Sequence, residues 1–236
     1  MSEWAAKRFW SEAGVSETDQ GFGVHLDGRR VRTPAKAELI VPTRAMASAI
    51  ATEWDAQEAG IVPDTMPVTR AANAAIDKVA HQHSEVARMI ADYGDSDLLC
   101  YRAESPAELA ARQAEAWDPL LDWAESVLSA RLHPRTGVMH QPQEVEPLAR
   151  LHAQVEMLDN WALTAFHDLV SLSGSLIVGF ATIHDLHPAK TLWHLSRIDE
   201  TWQQEQWGND EEAEAVALRK ETDFLNAKYF YDLSRG

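Results

Sequence analysis

The sequence predicts an α+β fold, with a small N-terminal antiparallel β domain over residues 1–58, ending in a linking helix, and a larger irregular multi-helical domain over residues 59–236. Three observations carry this reading. Phe22, Val24 and Leu26 alternate with Gly23 and His25 before Asp27-Gly28 intervenes, which is the period of a strand followed by a hairpin turn. From Thr43 onward the apolar spacing lengthens to that of helices. Charge shifts at the same place, since residues 1–58 hold seven basic and nine acidic groups whereas residues 59–236 hold 14 and 28.

The elements follow in chain order. Asp27-Gly28 suits a type I′ turn, whose two central residues need positive φ, and Leu39-Ile40-Val41 before Pro42 gives a further extended segment, so residues 7–42 form a small antiparallel sheet. Arg29, Arg30 and Arg32 beside the turn serve edge protection and solvation, with a basic patch as the alternative. Thr43 caps a helix that carries Met46, Ile50 and Trp54 and that Gly60 stops; Gly60 to Pro67 is the best domain boundary. Helical stripes follow at Val68/Ala72/Ile76/Val79 and Val86/Met89/Ile90/Tyr93. Ser105-Pro106-Ala107-Glu108 reads as a capping box, and Pro119 as a kink or restart with Asp118 as a second cap. After the loop at residues 133–147, stripes continue through Leu148/Leu151/Val155/Leu158 and Phe166/Leu169/Val170. Ser175–Ile183 is a buried helix or strand, Pro188 opens a helix running to Gly208, and a last helix starting near Asn209 or Asp210 carries Ala213, Ala217, Phe224, Ala227 and Tyr231. The expected total is seven or eight helices.

Composition restricts function. With 21 Lys+Arg against 37 Asp+Glu the formal charge is −16, which disfavours nucleic-acid backbones and anionic lipid as partners. The longest apolar run, Ser175–Ile183, is far shorter than the roughly 20 residues of a membrane span, so no membrane insertion is expected. The lone Cys100 excludes an internal disulfide and fits a reducing compartment. Met1 to Arg8 shows no targeting leader, so a cytoplasmic protein is expected.

Catalytic motifs are sparse: there is no phosphate-cradling Gly-rich loop, nucleophile elbow, His-Glu-x-x-His or Cys-x-x-Cys. His184, His187 and His194, or His81-x-His83, are read as surface histidines rather than metal ligands, with neither metal nor cofactor expected. Opposite carboxylates in a helical pocket those histidines would give the alternative, an enzyme. Asp95 and Asp97 suit helix or strand caps. Residues 199–223 are different, holding nine acids against two bases with Trp202 and Trp207 among them. Trp54, Trp117 and Trp202 fall on apolar stripes and belong to the core. Trp207, before Gly208-Asn209 and amid carboxylates, suits an exposed anchor for a protein partner.

The same residues carry a resemblance. Lys7-Arg8-Phe9-Trp10 with its hairpin and Thr33-Pro34, Glu53-Trp54-Asp55, Met66-Pro67-Val-Thr-Arg70-x-x-Asn73-x-x-Ile76-Asp77, Tyr93-Gly94-x-x-Asp97-Leu98-Leu-Cys100-Tyr101-Arg102, Gln113-x-x-x-Trp117-Asp118-Pro119-Leu120-Leu121-x-Trp123-Ala124, Gly174-Ser175 and Ser196-Arg197-x-Asp199-Glu200-x-x-Gln203-x-x-x-Trp207-Gly208 span nearly the whole chain in order. They resemble the assembly chaperones of the F-type ATP synthase catalytic head that attend its α subunit. The resemblance implies an N-terminal β domain, a C-terminal helical domain and no catalytic activity. It further implies binding of the unassembled α subunit, kept from aggregating until the β subunit replaces the chaperone. It places partner binding on Glu200, Glu205, Asp210, Glu211 and Glu212, beside the Trp207 already singled out. Lacking the mitochondrial leader, the sequence fits a bacterial member. A generic acidic adaptor remains a further alternative.

Overall fold

In the computed structural model, which describes residues 7–236, Asp27 and Gly28 take φ of 47° and 79°, the left-handed pair that a type I′ turn requires. Residues Met1–Ala6, on which the reading of a leader rests, lie outside the described residues. The turn joins β2 (Gly21–Leu26) to β3 (Arg29–Arg30). Strand β2 also pairs with β1 (Ala13–Thr18), in the register Ala13↔Leu26 to Thr18↔Gly21, and with β4 (Ile40–Val41), all antiparallel. The Asp27 carboxylate accepts from the backbone N–H groups of Ser11 and Glu12 and so fastens the turn to the segment entering β1. Arg30 pairs with Glu38 at 2.7 Å, and Arg32 donates to the Lys36 carbonyl, so two of the three hairpin arginines brace the turn that follows them.

Helix α1 (Arg44–Asp55) lays Met46 and Ile50 on the side chains of Val24, Leu26, Leu39 and Val41. Thr43 caps it, its hydroxyl accepting from Met46 N. The helix ends at Asp55 rather than at Gly60, because Arg8 donates to the Asp55 carbonyl and Gln57 folds back, 3% exposed, to bond Glu53 O, Thr65 Oγ1 and Val62 N. Helix α2 (Pro67–Asp77) adds Val68 and Ala72 to this core, and Ala165 and Phe230 complete it. These parts form one compact unit, comprising the residues up to His83 with Asp159–Ala165 and Tyr229–Gly236; the second comprises Ser84–Leu158 with Phe166–Lys228. The division runs differently from 1–58 and 59–236, since α2 shares the core of the sheet and two later segments return to it.

The second unit is helical around α7 (Leu176–Ile183), all eight residues of which are buried. Helices α4 (Ala107–Leu128) and α8 (Ala189–Leu195) pack on α7. Helix α3 (His83–Ala91), α5 (Val145–Glu156), α6 (Asn160–Ser173), α9 (Ile198–Trp207) and α10 (Glu211–Arg235) make ten α-helices among the described residues, more than expected; α6 and α10 divide between the units. The short strands β5 (Tyr101–Arg102) and β6 (Arg135–Thr136) pair in parallel. Ser175 caps α7, and Asp97 reaches the same helix start: its carboxylate accepts from Leu99 N at 3.0 Å and Ile177 N at 3.1 Å. Complete burial pushes the Asp97 carboxyl up to about 6 against the opposing pull of these donors.

Two local expectations are corrected. The capping box at Ser105 does not form; Pro106 occupies the N-cap and α4 begins at Ala107 without a side-chain cap. Pro119 neither breaks nor restarts α4, which is continuous for 22 residues, and Asp118 pairs with Arg102 at 2.8 Å instead of capping. No described helix is long and apolar enough to cross a membrane.

Candidate functional site

Helix α9 owes its position to polar side chains on α4. Gln113, 2% exposed, donates to Asp199 Oδ1 at 2.6 Å and accepts from Ala103 N, and the Trp117 indole donates to the Leu195 carbonyl at 2.7 Å. Arg112 grips Glu205 in a two-pronged ion pair at 2.7 and 3.0 Å. That hydrogen bonding holds the Glu205 carboxyl below its ordinary range and the Arg112 guanidinium above its own. Arg197 lies over the Trp193 ring and pairs with Glu200 at 2.8 Å. Two of the expected partner-binding acids, Glu200 and Glu205, are thus engaged within their own unit.

Beyond them the packing runs out. Trp207 ends α9 with 80% of its surface exposed, and Gly208 breaks the helix. The Asp210 carboxylate accepts from Glu212 N and Ala213 N and starts α10, whose first turn carries Glu211, Glu212 and Glu214 where the positive end of the helix dipole favours them. From Glu211 to Lys220 no residue is buried; packing resumes at Phe224 and Ala227. Ala213 is exposed and Ala217 half-buried, so the first half of α10 does not bury the stripe its spacing suggests. Between Arg197 and this half of α10 lies an open groove of about 300 Å³, lined also by Asp210, Glu212, Val216 and Lys220.

The structure therefore brings Asp210 and Glu212 together on one groove and leaves Trp207 and Glu211 exposed outside its lining. Arg112, Arg197 and Val216 belong to this surface and were missed, because nothing in the local sequence ties Arg112 to a partner 93 residues away. The tryptophan assignments divide. Trp117 is fully buried, Trp54 packs partly buried and edge-on against Trp10 at 5.2 Å, and Trp202 is half-buried rather than core. His184 meets Trp123 edge-on at 5.6 Å, and no group of three His, Cys, Asp or Glu among the described residues could hold a metal ion. Cys100 is buried, and desolvation drives its thiol well above the ordinary value, which makes it unreactive.

Comparisons with known proteins converge. The family model described as ATP12 chaperone protein matches residues 7–125. The mitochondrial protein atp12 of Schizosaccharomyces pombe is 26% identical over 222 residues, covering 89% of this chain and 76% of the relative. The crystal structure of Atp12 from Paracoccus denitrificans is 49% identical with a TM-score of 0.95, covering 99% of this chain and all of that one. The Atu1473 protein of Agrobacterium tumefaciens is 40% identical with a TM-score of 0.92, over 96% of this chain and 85% of its own. With half its length matched by the family model and its whole fold shared with a protein of 49% identity, the chain belongs to the ATP12 family of ATP synthase assembly chaperones.

Proposed function

We propose that this ATP synthase assembly chaperone binds the unassembled α subunit of the catalytic head through the surface running from Glu205 and Trp207 onto the first half of α10. There it keeps the subunit from aggregating until the β subunit takes its place. It works in the cytoplasm, by binding and not by catalysis. One observation carries the reading: Trp207, 80% exposed, stands beside a helix start that carries three consecutive acids and buries nothing over its first ten residues. An orphan subunit exposes apolar and arginine-bearing surface. The indole covers the apolar part, and Asp210, Glu211 and Glu212 answer the arginines. Glu200 and Glu205 contribute by holding α9 in place through Arg197 and Arg112, and their remaining lone pairs stay open to a second cation.

Light scattering of purified α subunit on dilution from denaturant tests this. The wild-type protein should suppress aggregation, and Trp207→Ala and Glu205→Lys should fold normally yet lose most of that protection. Full protection by both variants would overturn the site. Equal protection of β subunit or of unrelated basic proteins would favour a generic acidic adaptor.

A further inference from the structure

We propose that the loop leaving β6 carries a second contact for the same client, an apolar knob formed by Val138 and Met139; the inference rests on the client reading above. These neighbours are 91% and 77% exposed, although the loop that bears them is tied down on both sides. Gly137 N donates to the Arg102 carbonyl at 2.9 Å. Its φ of +87° favours glycine, and the exposed Glu104 side chain lies beside it, its Oε1 2.6 Å from where a Cβ would stand. On the far side His140 bridges the Tyr101 hydroxyl at 3.2 Å and the Asp95 carboxylate at 3.3 Å. Asp95 also accepts from Gln143 N at 2.7 Å, and the buried Gln143 amide clasps both the N–H and the carbonyl of His133.

A mobile loop tip can shelter its apolar side chains part of the time. This one holds two in water in a fixed place, so a partner that covers them incurs little ordering cost. Position supplies the occupant. Glu104, against which Gly137 rests, precedes α4, and Arg112, which grips Glu205, sits a little over one turn into that helix, roughly 8 Å of rise from its start. The knob therefore stands at the N-terminal end of the same helix, α4, whose Arg112 holds the Trp207 end of α9. Glu104 and Glu108 are exposed there. The knob is thus accompanied by exposed carboxylates, as Trp207 is, and both suit an arginine-bearing apolar subunit surface.

Titration of purified α subunit against the full-length chaperone separates the outcomes, with melting curves as the control for folding. Val138→Ser combined with Met139→Ser should weaken binding at least tenfold without moving the melting midpoint, as should Trp207→Ala. In the otherwise wild-type protein, a photoreactive side chain at position 138 should crosslink to the α subunit. If the loop variant binds within twofold of wild type and position 138 gives no crosslink while Trp207→Ala binds weakly, the knob is refuted and the client reading stands. If Trp207→Ala also binds like wild type, the client site itself is refuted.

Discussion

Around Trp54 the carboxylates bond the backbone of their own unit. Glu53 accepts from Val68 N, Thr69 N and the Thr69 hydroxyl at 2.6–2.8 Å and so caps α2, while Asp55 accepts from Ala13 N and faces Arg8. Around Trp207 the indole is in water, Glu205 is held by one arginine, and the acids that follow start a helix with no buried residue from Glu211 to Lys220. Both clusters read alike in sequence, an aromatic flanked by acids, and both lie in segments that resemble the family. What separates them is the indole and its neighbours: Trp54 packs against Trp10 and Glu53 caps α2, whereas Trp207 is in water and Glu211 and Glu212 are exposed. The first cluster is a joint of the β-bearing unit; the second has its apolar and anionic surface still to spend on another molecule.

Substitutions in the two clusters should give opposite results. The largest effect is expected from Glu53→Ala, which strips three donors of a charged acceptor and should cost about 2–3 kcal/mol, lowering the thermal midpoint by roughly 5–10 °C. At temperatures where it remains folded this variant should still bind α subunit. Trp207→Ala should invert the pattern, with stability within about 0.5 kcal/mol of wild type and client affinity down roughly thirtyfold, as for a central aromatic anchor. A melting loss in Trp207→Ala, or a binding loss in folded Glu53→Ala, would erase the distinction.

Asp97 sharpens the comparison from the buried extreme. Its folded carboxyl titrates near 6, above the ordinary carboxylate value, so the folded state binds the proton more readily than the unfolded chain. This group therefore adds stability as pH falls through that value, about 1 kcal/mol between roughly pH 7 and pH 5, with the gain complete once the unfolded carboxyl also protonates. Denaturant melts of wild type and Asp97→Asn at the two pH values should differ by that amount in the wild type's favour at the lower pH. The smallest effect belongs to Arg112→Gln. The ion pair is half-exposed, so the midpoint should move by less than about 2 °C, and the shift should shrink further in high salt.

Much of this was legible in the sequence because it is written locally. Asp27-Gly28 specifies its turn, Thr43 specifies its cap, and the change of period separates sheet from helices. The errors arise where distant partners decide. Asp118 is drawn to Arg102 instead of capping, and α10 carries an apolar spacing at Ala213 and Ala217 that stays exposed or half-buried. Pro119 sits in an unbroken α4 on an exposed face, where a missing backbone donor is tolerated. At the candidate site Trp207 stood out from its surroundings alone, whereas the pairing of Glu205 with Arg112 depends on α9 lying against α4 and has no local signal.

Amide hydrogen exchange of the chaperone, free and saturated with α subunit, tests the central claim most directly. Binding should slow exchange from Glu205 through Ala213 and leave Glu53–Asp55 unchanged. Protection confined to the segment around Trp54, with Trp207 and the start of α10 exchanging as in the free protein, would contradict it.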